Sequence, residues 1–203
     1  MLALFSGWMK FDEAESLDAQ ISLGAEGGSL SLSTDCDYFR QRVDGTDVHC
    51  VRTPLLTTYF TEQAACTADG SPLPGTENRP RDAARLISAA RELSLTGRFS
   101  CEHTDGSRVF TAALDPQASE KIAETVLPQL REMHIAYEDS TIRICVQDGG
   151  IETIELSCRG SVKIVARQID THLDVSVRFT GEEPHEIPQA VTDALIGGAP
   201  GNP

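Results

Sequence analysis

The chain has 203 residues, of which 40% are hydrophobic, 24% charged and 5% aromatic, so it is long enough for one domain with a packed core but not for many. Seventeen basic and 31 acidic residues give a formal net charge of −14, which disfavours binding to nucleic-acid phosphates or to anionic lipid surfaces. The apolar fraction excludes global disorder, and no apolar run approaches the roughly 20 residues that span a bilayer. We therefore expect no nucleic-acid partner and no transmembrane span within this chain.

The chain begins with a mostly apolar segment, residues 1–14, that has no basic residue among its first nine. A secretion signal needs a basic start and a longer apolar stretch. Two interpretations stay open: the remnant of a removed signal or anchor, or a short amphipathic segment whose Trp8 and Phe11 pack onto the domain. Residues 15–196 are expected to form a single curved-sheet domain, and the Gly- and Pro-rich stretch 197–203 a flexible tail.

Alternation of apolar and polar residues, which is typical of a half-buried strand, dominates the chain. Asp44-Gly45, Asp105-Gly106 and Asp148-Gly149 lie between alternating runs and predict β-hairpins, because glycine accepts the positive φ that tight turns require. The predicted strands are 17–24, 28–36, 36–43, 47–53, 56–65, 95–103, 107–114, 141–147, 151–158, 160–168 and 173–179. Their succession predicts a long antiparallel meander with one apolar face and one wet face.

Two segments carry the one-sided apolar stripe of an amphipathic helix. The first is 81–93, and the second is 116–134, which follows Asp115, a good N-cap because its carboxylate accepts unpaired N–H groups. Pro128 predicts a kink or a split in the second helix, since it removes a backbone donor. A shorter helix is expected over 186–196.

These elements predict an α+β fold in which a long curved antiparallel sheet, a half-barrel meander of about 9–10 strands, cradles two helices. Each main helix has one apolar side, which must lie on the apolar face of the sheet. A twisted sheet of this width tends to curl around what it covers. The connection 67–80, rich in proline and glycine, is expected to be the least ordered part of the domain.

The meander interrupted by two helices resembles the LolA/LppX-like superfamily of bacterial envelope lipoprotein carriers and lipid-binding lipoproteins. Strands 141–147, 151–158 and 173–179 after a helix at 116–134 are similar to the C-terminal part of such domains, and the likeness covers residues 15–180 as an order of elements. It rests on no sequence motif and transfers no functional residue. The chain departs from the pattern in lacking a long N-terminal helix and in having six cysteines. The resemblance implies an extracytoplasmic or envelope-associated address and an apolar ligand.

We expect the function to be non-catalytic binding of lipid or another apolar small molecule of unknown specificity. Alanines at 83, 84, 89 and 90 would leave room between helix and sheet for an acyl chain, unless larger residues of the sheet fill that space. The residues expected to line an apolar pocket are Leu86, Ala90, Phe99, Ile122, Val126, Ile154, Leu156, Val175 and Val177. A second hypothesis is a protein-interaction or structural module of an anchored envelope protein, because exposed sheet edges accept an added strand from a partner. An enzyme of unrecognised type stands third.

The sequence offers no motif for catalysis or for a cofactor: it has no Gly-x-Ser-x-Gly elbow, no P-loop and no Cys-x-x-Cys pair. Cys101 and His103 share a strand face and could supply two zinc ligands, but a tetrahedral site needs two more. Asp35 and Asp37 share a strand face, where a solvated strand is favoured over a calcium site. We therefore expect no catalytic residue, no metal and no cofactor. His103 or His172 beside a carboxylate in a cleft would argue for an enzyme.

The six cysteines can form up to three disulfides or remain thiols, and the sequence leaves this open. Strand phase places Cys36, Cys101 and Cys158 toward the core, where a free thiol behaves as a small apolar group. The same phase places Cys145 on the opposite face.

Overall fold

A computed structural model of the chain describes residues 2–28, 30–73, 81–104, 106–126, 128–164 and 167–197. The helices are α1 (Leu2–Glu13), α2 (Arg81–Thr96), α3 (Pro116–Val126) and α4 (Gln189–Leu195), with a short 3₁₀ helix at Pro128–Glu132. The strands are β1 (Ser16–Gly27), β2 (Leu30–Val43), β3 (Thr46–Arg52), β4 (Thr57–Phe60), β5 (Ala65–Thr67), β6 (Ser100–Thr104), β7 (Ser107–Leu114), β8 (Ala136–Gln147), β9 (Gly150–Ile164) and β10 (Arg167–Gly181).

The strands form one 10-stranded antiparallel sheet in the order β5-β4-β3-β2-β1-β10-β9-β8-β7-β6. The sheet curves without closing, so β5 and β6 are its two edges. The first and last long strands meet at its centre, where β1 pairs with β10 from Asp18 to Gly27. The expected α+β fold with a curved antiparallel half-barrel is confirmed.

Helices α1, α2 and α3 cover one face of the sheet, which we call the inner face. Leu4 and Trp8 of α1 share a core cluster with Ile144, Ile154 and Val177 of the central strands, and all five are nearly inaccessible to solvent. Burying an aliphatic side chain of this size contributes about 1.5–3 kcal/mol relative to leaving it exposed. This gain keeps helices with one apolar side on the sheet. The two expected helices therefore lie on its apolar face, and α1 joins them there.

The opposite, outer face carries a smaller apolar cluster at the β2–β5 end of the sheet. Val191 of α4 is fully buried there against Phe39 and Cys50. His185, in the segment before α4, stacks on Phe39 with ring centroids 4.1 Å apart and pairs with Asp18. The expected short helix is thus present and covers the outer face rather than the inner one.

Local signals set several element boundaries as expected. Asp44-Gly45 and Asp148-Gly149 turn with φ of 49°, 79°, 51° and 75°, which confirms two of the hairpins. β6 and β7 also pair as a hairpin, although Asp105 lies outside the described residues. The N–H of Ala118 donates to Asp115 Oδ1 at 2.8 Å, and the helix ends before the 3₁₀ turn that begins at Pro128, as the missing proline donor requires.

Some predicted strand limits are wrong. The segments 28–36 and 36–43 form the single strand β2, and the strand at 151–158 continues through Gly160 as β9. Gly160 serves a close strand approach rather than a turn, because a Cβ there would lie 2.6 Å from the carbonyl oxygen of Ala136. The expected strand 160–168 is divided between β9 and β10, and residues 165–166 lie outside the described part of the chain.

Two further strand limits also differ from the expected ones. The strand expected at 95–103 begins only at Ser100, since α2 runs on to Thr96 and the Ser94 hydroxyl donates to the carbonyl oxygen of Ala90. The strand expected at 56–65 is divided into β4 and β5, because Thr61 Oγ1 accepts the N–H groups of two following residues and makes a turn.

All six cysteines are free thiols in the structure. Cys158 is buried as expected and Cys36 is half-buried, but Cys101 is exposed, which corrects its expected position in the core. The physical reason is that Cys101 lies on β6, an edge strand whose residues are all exposed. Cys145 is half-buried and donates its thiol hydrogen to Glu152 Oε2, 3.3 Å away.

Helix α1 packs onto the domain through its aromatic residues. Trp8 is 3% exposed and meets the edge of Phe11 with ring centroids 5.5 Å apart, and Phe11 meets Phe179 of β10 at 5.4 Å. The expected packing of Trp8 and Phe11 is therefore confirmed. Residues 74–80 of the expected loop and 198–203 of the expected tail lie outside the described residues. Within the described ranges, no helix combines the length and the apolar character needed to cross a bilayer.

Candidate functional site

An open pocket of 610 Å³ lies on the inner face, between α1, α2 and strands β2 to β4. Its floor is set by strand alternation: Tyr38, Arg40 and Arg42 of β2 point to the same face, and the register places Arg40 beside His49, and His49 beside Phe60. We call this space the α1–α2 pocket. It places charged, hydrogen-bonding and aromatic groups around one cavity.

Arg40 is the buried cation of the α1–α2 pocket, with 6% of its surface exposed. Its Nη2 donates to the carbonyl oxygens of Phe11 at 2.8 Å and Ala14 at 2.9 Å, so it caps the C-terminal end of α1, where carbonyl groups lack helical partners. Its Nε is buried and has no hydrogen-bond partner among the described residues. The Arg40 guanidinium therefore binds the C-terminal end of α1 through Nη2, while its Nε–H donor is not used by any described residue.

Two more arginines stand at the rim of this pocket, each held by one aspartate. Arg42 Nε lies 3.0 Å from Asp47 Oδ1, and Arg91 Nη2 pairs with Asp12 Oδ2, which joins α2 to α1. Hydrogen bonding to Asp47 raises the pKa of Arg42, so the group is charged at all ordinary pH values. Within the described ranges each guanidinium hydrogen-bonds to one aspartate through one nitrogen, which leaves it further N–H donors, and Glu15 and Asp12 also attract Arg42 electrostatically.

His49 and Tyr38 form a neutral pair on the pocket floor. Burial lowers the pKa of His49 to about 4 and raises the pKa of Tyr38, so neither group is ionised near neutral pH. The Tyr38 hydroxyl lies 2.8 Å from His49 Nδ1, and the imidazole stacks on Phe60 with ring centroids 4.9 Å apart. Because His49 is stacked and hydrogen-bonded in its neutral form, it adds an aromatic surface to the floor rather than a charge.

A second, shallower space of 340 Å³ runs between α2 and α3, and its lining is mostly apolar. We call it the α2–α3 groove. Ala89 and Leu93 of α2 face Ala118 and Ile122 of α3 across it. The space left by the small residue Ala89 therefore lies between α2 and α3. The side chains of residues 83 and 84, also named as small, lie outside the described part of the structure.

The structure brings together the nine residues expected to line an apolar pocket, all within the inner core cluster. Eight of them are buried and Phe99 is partly buried against the same cluster. Ile122 also reaches the α2–α3 groove, and none of the nine lines the α1–α2 pocket. That these residues contact a ligand stays a prediction.

Sequence reasoning missed the residues that build the α1–α2 pocket. Strand phase places Cys36 toward the core, and Arg40 and Arg42 share its face of β2, but neither arginine was assigned a role from the sequence. A signal was available: Tyr38 and Phe39 are consecutive aromatic residues of β2, which indicates that both faces of the strand are covered at that point.

The arrangements that would point to metal binding or catalysis do not form. Across the described ranges, no three His, Cys, Asp or Glu side chains cluster closely enough to hold a metal, and Cys101 and His103 are exposed on β6. His172 Nε2 lies 2.8 Å from Asp174 Oδ2 and 3.5 Å from Ser157 Oγ. A serine–histidine–aspartate relay needs its two partners on different ring nitrogens, whereas both partners here face Nε2.

No family model matches the chain. No curated protein matches it either. Among solved structures, the chain is similar to the Mycobacterium tuberculosis lipoprotein LppX, at 12% identity with a TM-score of 0.41, over 92% of this chain and 96% of that one. It is also similar to a DUF1329 family protein from Desulfovibrio piger, at 10% identity with a TM-score of 0.35, over 97% of each chain. Similarities of this size establish neither a superfamily nor a ligand or an activity for this chain.

Proposed function

We propose that the chain is a non-catalytic binding domain that takes a small apolar or amphiphilic molecule in the α1–α2 pocket. The observation that carries the proposal is the pocket itself: 610 Å³ is within the range of small-molecule sites, and Phe11, Phe60 and Ile87 give it apolar walls. The neutral, stacked His49 extends that apolar surface. A ring or a short acyl segment bound there would be removed from contact with water on several sides at once.

A longer chain would have to pass beneath α2 into the inner core cluster, to which the nine predicted lining residues belong. Helix α2 packs mainly on α3 and α1 and makes few backbone approaches to the sheet. We propose that an outward shift of α2 admits the far end of such a chain to Leu86, Ala90 and the sheet residues below them. The short ligand needs no such shift.

Fluorescence of the neutral dye N-phenyl-naphthylamine tests the proposal, because the dye brightens when it leaves water for an apolar site. Glu62→Trp would fill the α1–α2 pocket from its exposed rim, and Lys121→Trp is the matched variant that fills the α2–α3 groove. We expect Glu62→Trp to weaken binding by about tenfold or more, a loss of roughly 1.4 kcal/mol, and Lys121→Trp to leave it unchanged. No binding by the wild-type chain, or the reverse pattern, would overturn the proposal.

The proposal includes an extracytoplasmic or envelope-associated address, which the superfamily resemblance supports. The free thiols weigh against a strongly oxidising compartment, where cysteines commonly pair. Expression of the natural gene fused to alkaline phosphatase, an enzyme active only outside the cytoplasm, decides the question. Phosphatase activity is the expected result, and an inactive fusion would remove this part of the proposal.

A protein-interaction role is the second candidate, because α1 has an exposed apolar face. Leu2, Phe5 and Met9 are 88%, 54% and 48% exposed, whereas Leu4 and Trp8 of the same helix are buried. A photo-crosslinking residue in place of Phe5 would join this face to an envelope protein in the source cells if the candidate is correct. A crosslinker in place of exposed Glu102 on β6 is the control for non-specific capture. Equal capture from both positions, or none, would exclude this role.

A further inference from the structure

We infer that the α1–α2 pocket recognises an anionic headgroup, so that its ligand is an amphiphile with a carboxylate or phosphate at one end. The inference rests on the proposed function and specifies the chemistry of that same site. It is carried by guanidinium donors and aromatic surface that border the same pocket, with the Arg40 guanidinium next to the Phe11 ring. These two kinds of wall match the two ends of an amphiphile.

The donors are unusually concentrated for an acidic chain. Only 17 of the 203 residues are Lys or Arg, yet Arg40, Arg42 and Arg91 line one pocket. Arg40 is buried with an unpartnered Nε, and the other two use one nitrogen each on an aspartate. The side chains of Arg42 and Arg91 are 39% and 48% exposed, so their remaining N–H groups are the donors that an anion in the pocket can reach.

The acidic residues of the pocket do not cancel this preference. The charged groups that line it are Arg40, Arg42, Arg91, Asp12, Asp47 and Glu62, which are formally neutral in sum. In a chain of net charge −14, a neutral region is where an anion meets the least repulsion. Direct hydrogen bonds from guanidinium groups then decide binding, because a charged donor and a charged acceptor form the stronger class of hydrogen bond.

The aromatic wall sets what the anion must be attached to. Phe11 and Phe60 border the same cavity as the guanidinium groups, and the Arg40 guanidinium carbon lies 4.8 Å from the Phe11 ring centroid. An inorganic anion would accept hydrogen bonds from the guanidinium groups but would leave the aromatic surface in contact with water. A molecule with an anionic head and an apolar tail would use both.

Binding of matched acid and alcohol ligands tests the inference. Dodecanoate and dodecanol share one chain and differ in head charge, and each can displace the naphthylamine dye. We expect dodecanoate to bind about tenfold or more tighter than dodecanol. The double variant Arg42→Gln with Arg91→Gln should abolish this preference, so that the ratio of the two affinities falls to about one or below. Arg143→Gln, which removes an exposed arginine paired with Glu155 away from this pocket, is the matched control and should leave the preference intact.

The arms of the experiment separate the possible failures. Acetate and inorganic phosphate test whether a free anion binds without an apolar tail. Displacement of dodecanoate by either anion at low millimolar concentration would show that the site recognises the anion alone, and would overturn the amphiphile assignment. Equal binding of acid and alcohol would overturn the inference and leave the proposed function standing. Absence of binding by every ligand, dye included, would overturn the proposed function itself.

Discussion

Arg40 of β2 donates to the backbone carbonyl oxygen of Phe11, and its guanidinium carbon also lies 4.8 Å from the Phe11 ring centroid. One side chain thereby attaches the end of α1 to the sheet and forms a wall of the α1–α2 pocket. The relationship explains how a charged guanidinium is accommodated at a buried position on the inner face of β2. It also links the stability of α1 to the shape of the site.

Replacing Arg40 should destabilise the protein. Arg40→Met keeps much of the side-chain length but leaves the carbonyl groups of Phe11 and Ala14 without a donor, and we expect a loss of about 2–4 kcal/mol in the free energy of unfolding. Urea denaturation followed by circular dichroism measures it. Arg143→Gln breaks an exposed ion pair and should cost less than about 1 kcal/mol. Equal losses for the two variants would contradict the capping role of Arg40.

His49 should make stability depend on pH. Burial lowers its pKa from 6.5 to about 4 in the folded chain, where it faces Tyr38, Arg40 and Asp47. Between these values the unfolded chain binds the proton more readily, so the contribution of His49 is complete above pH 6.5 and is lost as pH falls toward 4. The loss reaches about 3 kcal/mol.

The variant His49→Gln isolates this effect, because its unfolding free energy should lack the part of the pH dependence that His49 contributes. Urea midpoints measured at steps between pH 7 and 4 give the difference from the wild-type chain. His103→Gln, at an exposed position of β6, should keep the wild-type dependence. A wild-type slope in His49→Gln would show that His49 is not held neutral by burial.

Gly160 should not tolerate a side chain. A Cβ there would lie 2.6 Å from the carbonyl oxygen of Ala136 on the neighbouring strand, so Gly160→Ala forces β8 and β9 apart, at a cost of about 1–3 kcal/mol. Gly24→Ala is the matched control in β1, since its Cβ meets no atom within 4 Å, and the change should be neutral or slightly stabilising. Thermal unfolding of the two variants compares them, and similar melting temperatures would contradict the close approach at Gly160.

Ile154 tests whether the predicted lining residues meet a ligand. It is fully buried, so Ile154→Ala should cost about 2–5 kcal/mol through lost burial and the remaining cavity. If a long acyl chain reaches the inner core, hexadecanoate should stabilise the variant more than the wild-type chain, because its tail can occupy the vacated space. Thermal shifts with and without hexadecanoate measure this. Equal thermal shifts for the variant and the wild-type chain would show that Ile154 belongs to the core and does not contact the ligand.

The fold was predictable because its signals are local and periodic. Alternation placed most strands, Asp-Gly pairs placed two turns that the described residues confirm, and Asp115 with Pro128 framed α3. Predicted strand limits were wrong where the residue that determines the local structure makes its decisive contact with a part of the chain that is distant in sequence. Gly160 is an uninterrupted strand residue only because Ala136 approaches it, and no local pattern contains that contact.

The candidate site was less predictable than the fold for the same reason. Arg40 is inaccessible because α1, almost thirty residues earlier in the chain, ends over it. The cover that α1 provides for Arg40 becomes visible only when the two elements are placed together. The nine apolar residues were easier to group, because a buried face repeats every second or every third to fourth residue.

The most direct test of ligand binding in the α1–α2 pocket is NMR of the labelled protein during titration with dodecanoate. The amide signals that shift should belong to β2, β3 and the facing turn of α2, with Arg40, His49 and Ile87 among them. Shifts confined to Ala118, Ile122 and Thr125 would place the ligand in the α2–α3 groove, and a spectrum that does not change at millimolar dodecanoate would show that the pocket binds no amphiphile.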